Sequence, residues 1–229
     1  MTTAPLSPYL APNFYTDALS NGRHRDIVGG RWEETGRVQM AALRAEGLMP
    51  HHRLLDICAG ALRLGCKAVP YLDPGHYWAT DQSGPLMQRG YDLELVDKDR
   101  LPPAQLIEDA DFTYPGIPVN IDYAIAFALF THLPADHLNR ALTNLAAQFP
   151  TLKRLLFTVF LAPNTDLAAT KYRQADGVVT HPNRAPYHML AKDVLHITQI
   201  CGFTAERRNT QLPRGQTLFV AQRNSPILR

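Results

Sequence analysis

The sequence predicts an α/β fold with a doubly wound, mostly parallel sheet, and three features carry that expectation. Short apolar runs rich in β-branched or aromatic residues alternate with segments of helical spacing. A small-residue turn directly follows the first of these runs. The last two runs, Phe203 to Asn209 and Gln216 to Arg223, are separated only by Thr210 to Gly215, which suits an antiparallel hairpin.

Taken in order, the first thirty residues mix Pro, Asn, Gly and aromatics without a period and read as a loose arm. Trp32, Val38, Ala41, Ala42 and Leu48 then fall near helical spacing, and Gly47 and Pro50 end that helix. Arg53 to Cys58 is a short apolar run that suits a buried parallel strand. Leu62 to Tyr71 has helical character and stops at Asp73-Pro74-Gly75. His76 to Thr80 reads as a second strand, followed by a helix from Pro85 to about Tyr91. Gln105 to Glu108 and Ile121 to Phe127 supply two further strands. Leu138, Ala141, Leu142 and Leu145 mark a helix to Phe149 that Pro150 ends, and Leu155 to Phe160 is a central strand. Ala162 to Pro186 reads as a long irregular insertion, with its covering segment at about 162–190, before a helix from Lys192 to Ile200. Seven strands result. The expected organisation is an N-terminal arm over residues 1–30 that forms a helical lid, and one domain over residues 31–229.

Composition narrows the function classes. The 229 residues carry 23 basic and 21 acidic side chains, a net charge of +2, so nucleic acid held by bulk charge is disfavoured. With 45% hydrophobic and 19% charged residues, a sizeable buried core is expected and disorder is excluded as the main state. Cys58, Cys66 and Cys201 cannot all pair within one chain and form no C-x-x-C, so a reducing cytoplasm is the expected compartment. The start of the chain lacks the pattern of a signal peptide. The most apolar segment, Ile121 to Phe130, is too short to span a membrane and contains Asp122. No metal is expected, because the nine histidines show no H-E-x-x-H.

The chemistry concentrates at LLDICAGALRLG, Leu54 to Gly65, where backbone N–H groups and a helix start face the crevice of such a sheet. Asp81 ends the next strand, 21 residues after Gly60. An acid at that point can accept ribose hydroxyls, which suggests an adenosine-type ligand. The hydride-transfer fingerprint G-x-G-x-x-G is not met, since Cys58 and Arg63 occupy its first and third glycine places when Gly60 is the second.

LLDICAGALRLG, YLDPGHYWATDQS and IDYAIAFALFTHLP together resemble the class I S-adenosylmethionine-dependent methyltransferases. VGGRWEETGRVQMAALRAEGLMP and NTQLPRGQTLFVAQ resemble a bacterial small-molecule branch of that family, and the likeness covers most of residues 27–222. It implies a Rossmann-like methyltransferase fold, S-adenosyl-L-methionine as cofactor and S-adenosyl-L-homocysteine as product. Asp56 and the backbone at Cys58, Ala59, Gly60 and Ala61 would cradle the methionine part, with Arg63 beside them. Asp81 and Gln82 would hold the ribose, and Asp109, Ala110 and Phe112 the adenine, Asp111 being an alternative acid. Phe127 and Ala128 would lie near the sulfonium. The sequence departs from the family turn, which has Gly where Cys58 and Leu62 stand.

Methyl transfer from a sulfonium requires chiefly alignment and exclusion of water, and a base only where the acceptor carries a proton to be lost. His132, directly after the fourth strand, is the first candidate base; His181 and His188, in and after the insertion, are the next. Tyr15, Trp32, Phe160, Arg184 and Tyr187 are expected to shape the acceptor pocket. The expected acceptor is a small metabolite methylated on oxygen; the alternatives are methylation on nitrogen or carbon, or a non-methylating or non-catalytic relative that binds S-adenosylmethionine. The chain is expected to act as a monomer or homodimer.

Overall fold

A computed structural model describes residues 7–210 and 212–224. Residues 1–6 of the expected arm, Gln211 of the downstream motif and residues 225–229 lie outside the described residues. The chain packs as two compact units, Pro8–Ile125 and, together with residue 7, the part from Ala126 onward.

The first unit opens with a 3-10 turn, Pro8–Leu10, then α1 (Phe14–Ser20), α2 (His24–Ile27) and α3 (Trp32–Ala45). From residue 8 onward, the segment without a readable period folds into packed helices, the helical character expected of the N-terminal segment. Ala18 and Ile27 bury themselves with Ala61 and Leu86, and Phe14, Tyr15, Leu19, Val28 and Trp32 pack against that cluster. Helices of seven and four residues are too short to display a 3.6-residue period, which is why the pattern hid them.

β1 (Leu54–Ile57) follows, fully buried, then α4 (Gly65–Ala68), β2 (Tyr77–Asp81), α5 (Gly84–Leu93), β3 (Leu106–Glu108) and β4 (Tyr123–Ala126). The helix expected from Leu62 starts only at Gly65, because Cys58, Gly60 and Leu62 all take left-handed backbone angles. α5 starts cleanly: the Ser83 hydroxyl accepts from the Leu86 N–H at 3.3 Å, and Pro85 occupies the first turn. β1 pairs in parallel with both β2 and β4, and β3 lies parallel outside β2. The pairing Asp81↔Glu108 sets the carboxyl ends of β2 and β3 level.

The second unit contains α6 (Ala135–Gln148), β5 (Arg154–Leu161), α7 (Thr165–Ala168), β6 (Tyr172–Arg173), β7 (Val179–Thr180), β8 (His188–Met189), α8 (Ala191–Ile200), β9 (Phe203–Arg207) and β10 (Thr217–Arg223). β10 runs antiparallel to both β5 and β9. Phe157 of β5 stacks on Phe219 of β10 at 5.6 Å and meets Phe130 edge-on at 6.1 Å, filling the core of this unit. The insertion is not irregular throughout, as expected, but folds into α7, the β6–β7 ribbon and β8. β8 pairs with the end of β5, Phe160 facing His188 in register. Two-residue strands give no readable alternation.

The strand order 3-2-1-4 in the first unit, with β5 and the antiparallel 10-9 pair in the second, is the doubly wound, mostly parallel, Rossmann-like class that the sequence predicts. Among the described residues the main sheet has eight strands where seven are expected, β8 being the addition, and the β6–β7 ribbon is separate from it. No helix among the described residues is long and apolar enough to cross a membrane.

α5 approaches the turn after β1 so closely that a Cβ at Gly90 would lie 2.1 Å from the Ala61 carbonyl oxygen and 2.4 Å from its carbon. Backbone cannot step aside as a side-chain tip does. Gly90→Ala is therefore expected to lower the unfolding free energy by about 1–3 kcal/mol or more, read from urea midpoints at unchanged slope.

Candidate functional site

In the first unit the site is built on the turn from Cys58 to Leu62. Cys58, Gly60 and Leu62 have φ of 62°, 57° and 61°, so alternate residues are left-handed. This is a conformation in which glycine is at ease and other residues lose roughly 1–2 kcal/mol each. Leu62 offsets that loss by complete burial, worth about 1.5–3 kcal/mol for a leucine side chain. The backbone of a glycine-rich turn thus persists although two of its glycine places hold Cys58 and Leu62. Gly60 cannot be exchanged so easily: a Cβ there would stand 2.5 Å from Cγ1 of Val28. Among residues 54–65 only Cys58 is exposed, which makes it the point where the turn opens to solvent.

Asp81, 3% exposed, is the electrostatic centre. One carboxylate oxygen accepts the Gly60 N–H and the other the Ser83 N–H, each at 2.9 Å, and the Cys58 thiol also donates to it. Burial raises its pKa, and the three donors oppose that rise. An ionised carboxylate has about four acceptor positions, so about one more donor, such as a hydroxyl, can be taken. Although Cys58 is exposed as a residue, its thiol is desolvated by the protein atoms around it, and this together with Asp81 pushes it well above its ordinary range, so it stays protonated as a donor.

Over this centre lies Tyr15 of α1. Its hydroxyl accepts from the Gln82 amide at 2.6 Å, and the same amide reaches the Tyr9 carbonyl at 3.5 Å. Burial first, then the charge of Asp81, holds the Tyr15 phenol above the usual tyrosine range, so it remains neutral. Trp32 packs with the arm and lies under the Arg25 guanidinium at 5.1 Å. Arg63, expected beside the methionine part, instead reaches the carbonyls of Val28 and Gly30 at 2.8 and 3.3 Å and anchors the arm.

Asp109 is joined to Asp81 through its backbone, N–H to carbonyl, at 2.9 Å. Its side chain organises its own loop: Oδ1 accepts from the N–H groups of Asp111 and Thr113 and the Thr113 hydroxyl, and Oδ2 from the Tyr114 N–H at 2.8 Å. Phe112 and Tyr114 are left-handed there and buried, while Ala110 is exposed. Asp56 lies within β1, where its carboxylate accepts from the Tyr77 hydroxyl at 2.6 Å. Burial raises its pKa to about 7, against the opposing pull of Tyr77 and Arg63. Sequence reading missed Tyr77, whose partner stands on a neighbouring strand and leaves no local signal.

The second unit holds the other candidates. Ala128, left-handed at φ 62°, donates its N–H to the Thr158 hydroxyl at 2.7 Å, and Thr158 in turn donates to Gln216 at 2.6 Å. Thr131 is pinned through its carbonyl by the Tyr187 N–H at 2.7 Å, and Phe127 beside this turn is buried. His132 therefore stands on a turn fixed from two sides. Burial, with Arg214 adding to it, lowers its pKa to about 4, so the imidazole is neutral at pH 7. His188 is buried and engaged by both nitrogens, Nδ1 with the Thr180 hydroxyl at 2.8 Å and Nε2 with the Ala168 carbonyl at 3.3 Å. That makes it a staple of the insertion. His181 is half-buried and bridges to Tyr187; burial and the nearby Arg184 lower its pKa. Arg184 is exposed and Phe160 is buried in β5. No cluster able to hold a metal ion occurs among the described residues.

The Asp56 pKa has a consequence for stability. The folded chain keeps this proton to about pH 7, whereas the unfolded chain loses it near pH 4, so this group makes stability fall as pH rises between those values. Asp56→Asn is expected to flatten the pH dependence of the melting temperature from pH 4 to 7. Tyr77→Phe, which removes the donor to the ionised form, should push the decline to higher pH.

No protein-family model matches the chain, and no curated protein matches it. Solved structures share its fold. Magnesium protoporphyrin IX methyltransferase from Synechocystis PCC 6803, with bound SAM, superposes at a TM-score of 0.65 and 15% identity, covering 97% of this chain and 100% of that one. Burkholderia thailandensis 1,6-didemethyltoxoflavin-N1-methyltransferase, with its substrate and S-adenosylhomocysteine, gives 0.61 at 18% identity and covers 98% and 94%. A S-adenosylmethionine-dependent methyltransferase from Clostridium acetobutylicum ATCC 824 gives 0.62 at 11% identity and covers 92% and 100%. Over nearly its whole length, the chain has the fold of these methyltransferases.

Proposed function

We propose that the chain is an S-adenosylmethionine-dependent methyltransferase of small-molecule acceptors, with oxygen as the preferred acceptor atom. The observation that carries this reading is the left-handed turn at Cys58, Gly60 and Leu62, bonded through the Gly60 N–H to Asp81. It would form a nucleoside cradle in backbone geometry, with Gly60 kept and Cys58 and Leu62 standing at the other two left-handed places. The fold shared with methyltransferases solved with SAM or S-adenosylhomocysteine supports the choice of nucleoside.

When bound, the cofactor supplies a methyl group activated by a sulfonium, and the protein's part is to hold, align and dry it. Asp81 would accept a ribose hydroxyl at its remaining acceptor position, with Gln82 beside it. Asp109 would shape the loop that offers Ala110 and Phe112 to the adenine ring. Cys58 and Ala59 would line the methionine part, and the arm carrying Tyr15 would exclude water. His132, neutral at pH 7, would accept the proton of an acceptor hydroxyl, and Tyr187 and Arg184 would help to hold that acceptor.

Calorimetric titration with S-adenosylhomocysteine tests the reading, with NAD as control. Micromolar binding of the thioether without NAD binding is expected, and Asp81→Asn should weaken it about 10- to 100-fold, the range of one hydrogen bond to a charged group. No binding by the wild-type chain, or undiminished binding by the variant, contradicts it.

A further inference from the structure

The lid helices are fastened to the first unit at one side chain that the reading above does not use. Glu94, at the end of α5, is 8% exposed in its side chain and holds two lid residues at once. Its Oε1 takes His24 Nε2 at 2.6 Å and Arg25 Nε at 2.7 Å, and its Oε2 takes the second Arg25 nitrogen at 2.5 Å. Arg25 also covers Trp32. The other charged groups nearby are paired among themselves, Arg23 with Asp26 at 3.5 Å and Glu33 with Lys67 at 2.6 Å. The chain then leaves the lid through Gly29 and Gly30, with φ of 93° and 61° and nothing within 4 Å of where their Cβ atoms would stand. Arg63 grips the Val28 and Gly30 carbonyls on either side of Gly29. One end is thus a pivot clamped by Arg63, and the other is a charge-assisted clasp.

Resting on the proposed function, we infer that Glu94 is a positioning residue: it latches the α1–α2 lid that places Tyr15 over Asp81, and the latch sets how fast the nucleoside cofactor exchanges. Tyr15 is bonded to Gln82, the neighbour of Asp81, so on this inference the Tyr15–Gln82 bond and the latch both yield before the nucleoside exchanges. The latch closes the lid with or without cofactor beneath it. Its loss therefore speeds entering and leaving together and changes the equilibrium affinity little.

The test is stopped-flow exchange of S-adenosylhomocysteine on the full chain, read by the fluorescence of Trp32 and Trp78. Glu94→Gln is expected to raise both rate constants about tenfold, roughly the effect of one charge-assisted bond, with a dissociation constant within about threefold of wild type. Lys67→Gln, which breaks the Glu33 pair outside the lid, should leave both rates unchanged. Rates within about twofold of wild type for Glu94→Gln overturn the inference, as does a fall in melting temperature without faster exchange. Should the wild-type chain bind no S-adenosylhomocysteine, the proposed function fails but the latch is still tested. Trypsin should then cut Glu94→Gln about tenfold faster after Arg23, Arg25 or Arg31, and equal cutting refutes the latch. His24→Gln, which leaves the Arg25 half of the clasp, should fall between the two, and it serves if Glu94→Gln does not fold.

Discussion

The hydrogen bond from the Gly60 N–H to the buried Asp81 carboxylate is the constraint on which the first unit depends. It ties the turn after β1 to the end of β2 and holds the left-handed steps at Cys58, Gly60 and Leu62 in place. α5 rests on the same turn through Gly90, and Val28 of the arm rests on Gly60. Burial raises the pKa of a carboxylate at that depth, and three protein donors that replace lost water oppose the rise. The group that organises the fold is therefore the same group that the proposed function gives to a ligand hydroxyl.

Two buried acids on adjacent strands are treated differently. Asp81 stands at a strand end, where backbone N–H groups converge on it. Asp56 stands inside β1, where its carboxylate accepts from the Tyr77 hydroxyl and burial raises its pKa to about 7. In the second unit the same economy of donors governs the histidines. His188 spends both nitrogens on the insertion, whereas His132 is held by the backbone of its turn and kept neutral by burial. This contrast is why the proposed function gives proton acceptance to His132 rather than His188.

Much of this was legible in the sequence where a signal is local. The turn at Leu54 to Gly65, Asp81 at the end of the next strand and the terminal hairpin follow from spacing and small residues, and each stands close to its expected position. What stayed hidden depends on distant pairs or very short elements. The arm helices are held by packing on Ala61 and Leu86 rather than by their own periodicity. The Thr158–Gln216 bond spans 58 positions, and the Glu94 clasp about 70, so neither leaves a trace in any window of sequence. The Arg63 contacts stayed hidden for the same reason, since its partners at Val28 and Gly30 lie more than 30 positions away.

The central claim is that Asp81 and the left-handed turn form a nucleoside cradle closed by the arm. A crystal structure of the chain grown with S-adenosylhomocysteine tests it most directly. The account predicts a ribose hydroxyl within hydrogen-bond distance of Asp81, the methionine part along Cys58 and Ala59, and Tyr15 above them. A nucleoside bound elsewhere, or one seated on the turn with Asp81 untouched, would contradict it.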